Sequence, residues 1–502
     1  MSNLEEKKLD QAISVSSGAL AGDVEHLQRR NDETISRAIE GLGFGRYQWQ
    51  MFLTCGFGFM LDQMLAISLS LILPQIGKQW SVKHPEFAVA ALYGGSLLGA
   101  ILCGLSVDVI GRKLVWQVSI LVVAVFTMIE AASPNFASLC VLIVLQTTGA
   151  GGNLAIDLTV FIECLPSEYT YMLTALALWW GFGSVIGGFF AWPLITNFSC
   201  PQSATFETCR NSDNMGWRYS LILMGGFSLV LAIIRVFVMK MEESPKWLVS
   251  QGRFEEAVAN IQKISRVNKR AVILTAQDFI EVTPTGEERR TTKQKFHAWR
   301  SQVRLLFATR KMARSTLSVC LLWMCIGIAY PVFTLFLPVY LQKHGAKLGD
   351  GSLYQTYRDY SISSVVGIFG PVLAAAMVRV GILGRRRSMA INAVCAAAFA
   401  AGFTTVRNEA SNLAFSSMVS FWQNAFYATL YAYSPEVMPT AARGTGCGIS
   451  LACGRIASLS SPFIAAYGDL SSSVPLWVLV GVYGLIAAVA LSLPFESQSF
   501  LE

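Results

Sequence analysis

Three charged side chains stand inside long apolar runs. Asp62 lies in Gly56-Phe-Gly-Phe-Met-Leu-Asp62-Gln63, Asp157 lies deep in the run from Phe136 to Cys164, and Arg455 comes twelve residues after Arg443. At 1.5 Å per residue that spacing puts Arg455 about 18 Å along a helix, near mid-bilayer. A charge at the bilayer centre costs at least ~2.5 kcal/mol, so each of the three needs a reason to be there. An aspartate in a hydrated cavity can take up and release a proton near neutrality. An arginine stays charged and grips a carboxylate or phosphate with its forked donors. The plainer alternative is a structural ion pair or a cap at a broken helix. Glu130 and Arg235 lie nearer the ends of their runs and are expected to snorkel.

Two polar stripes could line the same space. Gln146, Gly149, Asn153 and Asp157 are spaced three, four and four apart and so share one helix face. Further along, Gln423, Tyr427 and Tyr431 recur every four residues beside Asn424. Polar faces on membrane helices line either a cavity or a helix–helix seam. The mix of amide and aromatic groups suits a cavity for a small polar or aromatic solute. The histidines, His26, His84, His297 and His344, fall in tail or loop segments, so no histidine proton relay is expected. The cysteines show no metal-ligand spacing and no nucleophile–base pair points to an enzyme, so neither a metal nor a cofactor is expected.

The elements that hold such residues must be long apolar helices. Of 502 residues 53% are hydrophobic and 14% charged, with a mean hydropathy of +0.48; a soluble average is about 25% charged. A crossing needs about 20 apolar residues, and twelve such stretches can be drawn. They are Gln50–Leu73, Phe87–Val107, Leu114–Ala132, Phe136–Cys164, Met172–Thr196 and Tyr219–Met239, then Ser315–Leu341, Tyr360–Val380, Ser388–Val406, Leu413–Tyr433, Thr445–Tyr467 and Pro475–Leu493. The expected fold is therefore an all-α membrane protein of two six-helix halves. Its expected parts are a tail over 1–46, a first bundle over 47–239, a basic linker over 240–314, a second bundle over 315–493 and a short tail over 494–502.

Charge sets the expected orientation. The linker, Lys240 to Arg314, holds 16 Lys/Arg against 8 Asp/Glu, and basic residues beside crossings mark the cytoplasmic side. Both termini are then cytoplasmic. The linker contains a helix-like piece, Phe254 to Ile264, and fits a spacer or a packed helical lid equally. The first tail lacks a cleavable signal peptide and is expected to be mostly disordered, with an amphipathic lead-in over Ile35 to Gln48. The loop after the fifth crossing faces outside on this topology. Cys200 and Cys209 share it and are expected to pair in oxidising surroundings. Asn197-Phe-Ser199 is a glycosylation sequon, but Asn197 lies almost at the membrane surface, which disfavours modification.

A very short connector, Gly104-Leu-Ser-Val-Asp108-Val-Ile-Gly111-Arg112-Lys113, joins the second and third crossings. Its glycines allow a tight turn, and Asp108 can accept from the Arg112 guanidinium. The second half has Gly384-Arg385-Arg386-Arg387 at the matching place, without the aspartate. The first of these patterns resembles the signature loop of the major facilitator superfamily, which latches the two halves on the cytoplasmic side. Glu242-Glu243-Ser244-Pro245-Lys246-Trp247-Leu248 resembles the P-E-S-P-R-W-L motif of sugar-porter-type carriers, with Glu in place of the first Pro. Pro435-Glu436-Val-Met-Pro439, running on to Arg443-Gly444, resembles that group's second P-E-x-x-P…R-G element. Gly151-Gly152-Asn153-Leu154 and Gly351-Ser-Leu-Tyr354-Gln-Thr-Tyr357-Arg358 resemble the synaptic-vesicle-protein-related branch, its fungal members in particular. The first-half counterpart is degraded to Glu163-Cys-Leu-Pro166-Ser-Glu-Tyr-Thr170, and the arginine that sugar carriers place early in the fourth crossing is absent. Both departures weaken a hexose assignment.

The resemblance implies a secondary transporter working by alternating access, and the charges within the membrane point to a small organic, anionic solute moved with protons. On that combined reading, Asp62 and Asp157 would couple the proton and Arg455 would contact the anion. Gln146, Asn153, Gln423, Asn424, Tyr427 and Tyr431 would line the solute site. Asp108, Gly111, Arg112, Lys113, Glu163, Glu436 and Arg443 would gate it. Export of a secondary metabolite, and a non-transporting vesicle or signalling protein that only binds ligands, stay open as alternatives. The expected partners are the solute, protons and the lipid bilayer, with a monomeric protein and no nucleic acid. The plasma membrane is the expected location, with vacuolar and vesicle membranes as alternatives.

Overall fold

The structure is a computed structural model that describes residues 30–110, 112–169, 171–201, 204–239, 241–280, 300, 302–334, 337, 352–380, 382–406, 408–439, 442–467 and 474–495. The described residues are helical, with no strand among them. Hydrocarbon offers no water to backbone N–H and C=O groups, so spanning segments must satisfy them internally.

The described residues open on α1 over 30–42, which breaks at Gly43, whose φ of 56° suits glycine. The expected lead-in over 35–48 spans the end of α1, this break and the start of the next helix. The first half follows as α2 (Arg46–Trp80), α3 (Ala88–Ile110), α4 (Arg112–Glu130), α5 (Phe136–Glu163), the consecutive pair α6 (Met172–Leu176) and α7 (Leu178–Phe198), and α8 (Gly216–Ile233). A π turn over Ile234–Val238 ends α8. Two short helices, α9 (Pro245–Ser250) and α10 (Phe254–Asn268), lie in the linker. The second half holds α11 (Arg310–Thr334), α12 (Leu353–Arg379), α13 (Gly384–Phe403), α14 (Glu409–Val437), the pair α15 (Arg443–Ser458) and α16 (Ser461–Tyr467), and α17 (Val474–Ser492).

With each pair counted as one rod, the described residues give twelve rods matching the expected crossings with shifted ends. Ten are long and apolar enough to cross a membrane. The other two are α13, which opens on Arg385-Arg386-Arg387, and α14, which carries Asn412, Gln423 and Asn424. The end of the seventh expected crossing, at 335–336 and 338–341, lies outside the described residues.

The halves repeat one plan. Asn135 caps α5 by accepting from the Ser138 N–H at 2.8 Å, and Asn408 caps α14 through Ser411 at the same distance. Arg112 at the start of α4 pairs with Glu163 at the end of α5; Arg385 pairs with Glu436 in the same relation, each couple 51 residues apart. Both staples lie at the end of the bundle that bears the linker.

The first part of the linker is a packed layer on the first half. The Asn31 side chain grips the backbone of Ile280 with two hydrogen bonds of 3.0 Å. Asn268 accepts from the Tyr47 N–H at 2.9 Å and donates to Gln48 at 2.8 Å. Phe254 stacks on Phe279, centroids 5.4 Å apart. The expected helix Phe254–Ile264 runs on to Asn268. At the opposite end a disulfide joins Cys200 and Cys209, their Cα atoms 5.8 Å apart. Asn197 sits in the last turn of α7, its amide donating to the Pro193 carbonyl at 2.8 Å, so the sequon begins inside a helix.

Candidate functional site

A cavity lies between the two halves, with about 720 Å³ of non-protein space including its mouth. First-half walls come from Asp62 and Gln63 on α2, Tyr93 and Ser96 on α3, Thr147 on α5 and Trp180 on α7. Trp323 and Tyr330 on α11, Tyr427 on α14 and Arg455 on α15 supply the facing wall. Asp62 and Arg455 meet across it at 3.9 Å, their side chains 15% and 18% exposed. That separation is an ion pair without a hydrogen bond. The Arg455 guanidinium also lies 5.7 Å from the Tyr93 ring centroid.

The wall is aromatic beside the pair. The Tyr427 ring is 4.7 Å from Trp180, 5.1 Å from Tyr330 and 5.7 Å from Trp323. Tyr431 packs behind, 4.7 Å from Trp180 and 4.6 Å from Trp323. The Trp323 indole N–H donates to Ser434 at 2.8 Å. By contrast Trp180 Nε1, Gln63 Nε2 and Ser96 Oγ are buried without a partner. All three can donate, and a buried unpaired donor costs about 1–3 kcal/mol.

A second ion pair stands apart from the cavity. Asp157 and Arg235 are both fully buried and meet at 2.5 Å. Asp157 also accepts from Trp116 Nε1 at 2.6 Å and Asn153 Nδ2 at 2.7 Å. The guanidinium lies over the Trp116 ring, 3.5 Å from its centroid. Glycine at 58 leaves room for this cluster: a Cβ there would collide with the Asp157 carboxylate and the Asn153 amide.

These positions correct several expectations. Neither Arg235 nor Glu130 snorkels: their side chains are buried, although Ile233, Phe237 and Val238 around Arg235 are exposed. Asp157 does not share a cavity wall with Asp62, and Gln146 and Asn153 do not line the cavity. Their stripe faces α4, where Gln146 donates to Thr127 at 3.2 Å and Ser119 donates to Asn153 at 3.2 Å. A seam, the other outcome of that periodicity, is what forms. In the second stripe Tyr427 reaches the cavity. Gln423 is held between Thr334 and Tyr483, and Asn424 donates to the Gly367 carbonyl at 3.3 Å.

Both ends of the cavity are bridged. At the linker end Glu163 receives Arg112 and, at 2.6 Å, the Ser244 hydroxyl. Glu243 accepts from the N–H groups of Arg112 at 3.0 Å and Lys113 at 3.3 Å. The Asp108 side chain and Gly111 lie outside the described residues. Arg385 reaches from the second half to Thr174 on α6 at 3.2 Å, and Arg379 covers the Tyr171 ring at 4.4 Å. Arg443, half-buried at the start of α15, lies in the field of Lys246. Burial lowers the Lys246 pKa, and Asp32 opposes the shift. At the disulfide end Tyr357 on α12 donates to the Leu71 carbonyl of α2 at 2.6 Å. Phe87 packs on Phe463 and His84 on Tyr467, at 5.2 and 5.8 Å. Tyr93, Thr174, Trp180, Trp323, Tyr330 and Tyr357 were not among the expected site residues. Sequence gives no sign separating Trp180, on the cavity, from its neighbour Trp179, which is packed on Phe57.

Comparison with known proteins places this architecture. The family model described as the Major Facilitator Superfamily matches residues 52–462. MFS siderochrome iron transporter 1 of Ceriporiopsis subvermispora is 37% identical over 485 residues, covering 95% of this chain and 92% of that one. The niacin transporter NiaP of Acinetobacter baylyi is 26% identical, covering 87% and 90%. Among solved structures, the xylose transporter XylE from E. coli, in a partially occluded inward-open conformation, superposes with a TM-score of 0.66 at 15% identity. It covers 88% of this chain and 96% of its own.

Proposed function

The chain belongs to the major facilitator superfamily of membrane transporters, and from this premise we propose that it carries a small organic anion together with a proton, using the central cavity as the solute site. The observation that carries the reading is the Asp62–Arg455 pair. Each half supplies one charge, the two are 3.9 Å apart at the cavity wall, and no hydrogen bond locks them. A proton arriving on Asp62 frees Arg455 to hold the solute's carboxylate, and loss of that proton restores the pair when the solute leaves. Charge stays balanced at every step, as a low-dielectric site requires. The unpartnered donors on Trp180, Gln63 and Ser96 suit a solute that presents acceptor oxygens.

The closing contacts fit alternating access. With the basic linker on the cytoplasmic side, Arg385–Thr174 closes the inner end and Tyr357–Leu71 the outer end. Asp157, saturated by three donors, is assigned to holding the first half together, and coupling is assigned to Asp62. Among the relatives, the niacin transporter accords with a small solute of this kind.

The test is uptake of labelled organic anions into proteoliposomes with and without a pH gradient. Asp62→Asn should abolish accumulation yet keep solute exchange, and Arg455→Ala should lose affinity. Gradient-driven accumulation by Asp62→Asn, with its pH dependence intact, overturns the coupling; unchanged affinity in Arg455→Ala overturns the anion.

A further inference from the structure

We infer that the solute is a planar aromatic monocarboxylate, its ring held among Trp180, Trp323, Tyr330 and Tyr427 while its carboxylate meets Arg455. This rests on the cavity being the solute site and narrows what it takes. Charge comes first. Among the described lining residues, Asp62 and Arg455 are the ones that carry a charge. Once Asp62 is protonated, a single positive charge is left to answer, which matches one carboxylate and leaves a second uncompensated.

The polar groups on the wall suit a carboxylate. The Thr147 hydroxyl donates to the Ile143 carbonyl at 2.7 Å, and Ser458 donates to the Gly327 carbonyl at 2.8 Å, so those protons are used inside the protein. Trp180 Nε1 and Gln63 Nε2 are donors without a partner, and the unpartnered Ser96 hydroxyl can donate as well. Carboxylate oxygens beside Arg455 can accept from such groups.

The rings supply the positive part. Trp180 comes from the first half and Trp323, Tyr330 and Tyr427 from the second, with Tyr427 in contact with all three others. Their planes are inclined at 60°, 79° and 44° to Tyr427, so edges and faces of different rings border the same space. Aromatic pairs gain from edge-to-face and offset contact beyond what area alone gives, by a factor of roughly two to ten per pair. A saturated ring of the same size and charge forfeits that gain.

Calorimetric titration of the purified full chain in nanodiscs at acid pH tests this. Benzoate, indole-3-acetate, cyclohexanecarboxylate and benzamide serve as probes. At least one of the two aromatic acids should bind, and benzoate should bind about fivefold or more tighter than cyclohexanecarboxylate. Benzamide, which has the ring without the charge, should bind weakly. Tyr427→Leu should bring the benzoate-to-cyclohexanecarboxylate ratio toward one, and Trp180→Phe should preserve it. Should Tyr427→Leu not reach the membrane, the wild-type ratio decides alone. Equal binding of the two ring acids, or binding confined to aliphatic carboxylates with loss in Arg455→Ala, overturns the aromatic cage and leaves the anion reading standing. Failure of every carboxylate overturns both.

Discussion

Replacing Arg235 by methionine should destabilise the first half without touching the solute site. The guanidinium and the Asp157 carboxylate are 0% exposed and meet at 2.5 Å. Removing one member of such a pair costs about 3–5 kcal/mol, because the other charge stays buried. The lost contact with the Trp116 ring, at 3.5 Å, accounts for on the order of 2 kcal/mol of it. Asp157 retains Trp116 and Asn153 as donors, which keeps the cost near the lower bound. For a folding unit the size of one half, each kcal/mol moves the thermal midpoint by about 2–4 °C. A drop on the order of 10 °C is expected in fluorescence-detected size exclusion after heating in detergent. The double variant Arg235→Met with Asp157→Asn removes both charges and should recover most of the loss. Solute affinity of the folded fraction should stay at the wild-type value, since neither residue lines the cavity. A single variant within about 2 °C of wild type, or a double variant no better than the single, would refute the assignment.

Three further outcomes follow from named contacts. Thr174→Val removes the cross-half bond from Arg385 at 3.2 Å, worth about 1 kcal/mol or roughly fivefold in the closed population; spin-label distances across α6 and α13 should lengthen, and an unchanged distribution counts against the clasp. Tyr357→Phe removes the bond to the Leu71 carbonyl and should lengthen distances at the disulfide end instead; lengthening at the linker end contradicts the assignment. Asp278 accepts from the Thr275 N–H and hydroxyl, which hold its carboxyl below the usual range. Its contribution is therefore present above about pH 4 and lost as pH falls through its own lower pKa; proteolysis of the 270–280 segment should quicken there in wild type and lose that pH step in Asp278→Asn.

Apolar blocks made the two-half fold legible, and the doubled Gly-Arg turn at Gly111 and Gly384 made the repeat legible. Energetic cost singled out Asp62, Asp157 and Arg455 alike and did not tell which of them would face the cavity. The face of α5 was not legible, because a stripe of Gln146, Asn153 and Asp157 has the same period whether water or a neighbouring helix lies opposite. Long-range packing decides it: α4 brings Trp116 and Ser119 to that face, and α8 brings Arg235. Counting from the helix end placed Arg235 near a surface. A π turn at Ile234–Val238 and the packing of α8 on α4 bury it instead. Aromatic residues were the least legible, since lipid-facing, seam-forming and cavity-lining rings carry the same hydrophobicity.

On the proposed reading, only one of the two ion pairs can sense the transport cycle. Asp157 and Arg235 both belong to the first half, so a rigid-body rocking of one half against the other leaves their separation unchanged. Three donors on Asp157 also leave little for a passing solute or proton to compete with. Asp62 and Arg455 sit on different halves, and any rocking changes their distance from 3.9 Å. At an effective dielectric constant of about 20 their attraction at this separation is about 4 kcal/mol, and partial exposure reduces it further. An interaction of that size is large enough to bias which way the halves lean. It is also small enough for a proton on Asp62 and a carboxylate on Arg455 to replace it. A pair as tightly bonded as Asp157–Arg235 in this position would hold the halves shut. Absent any pair there, Arg455 would have to be neutralised by solute alone, and nothing would oblige the proton and the anion to travel together.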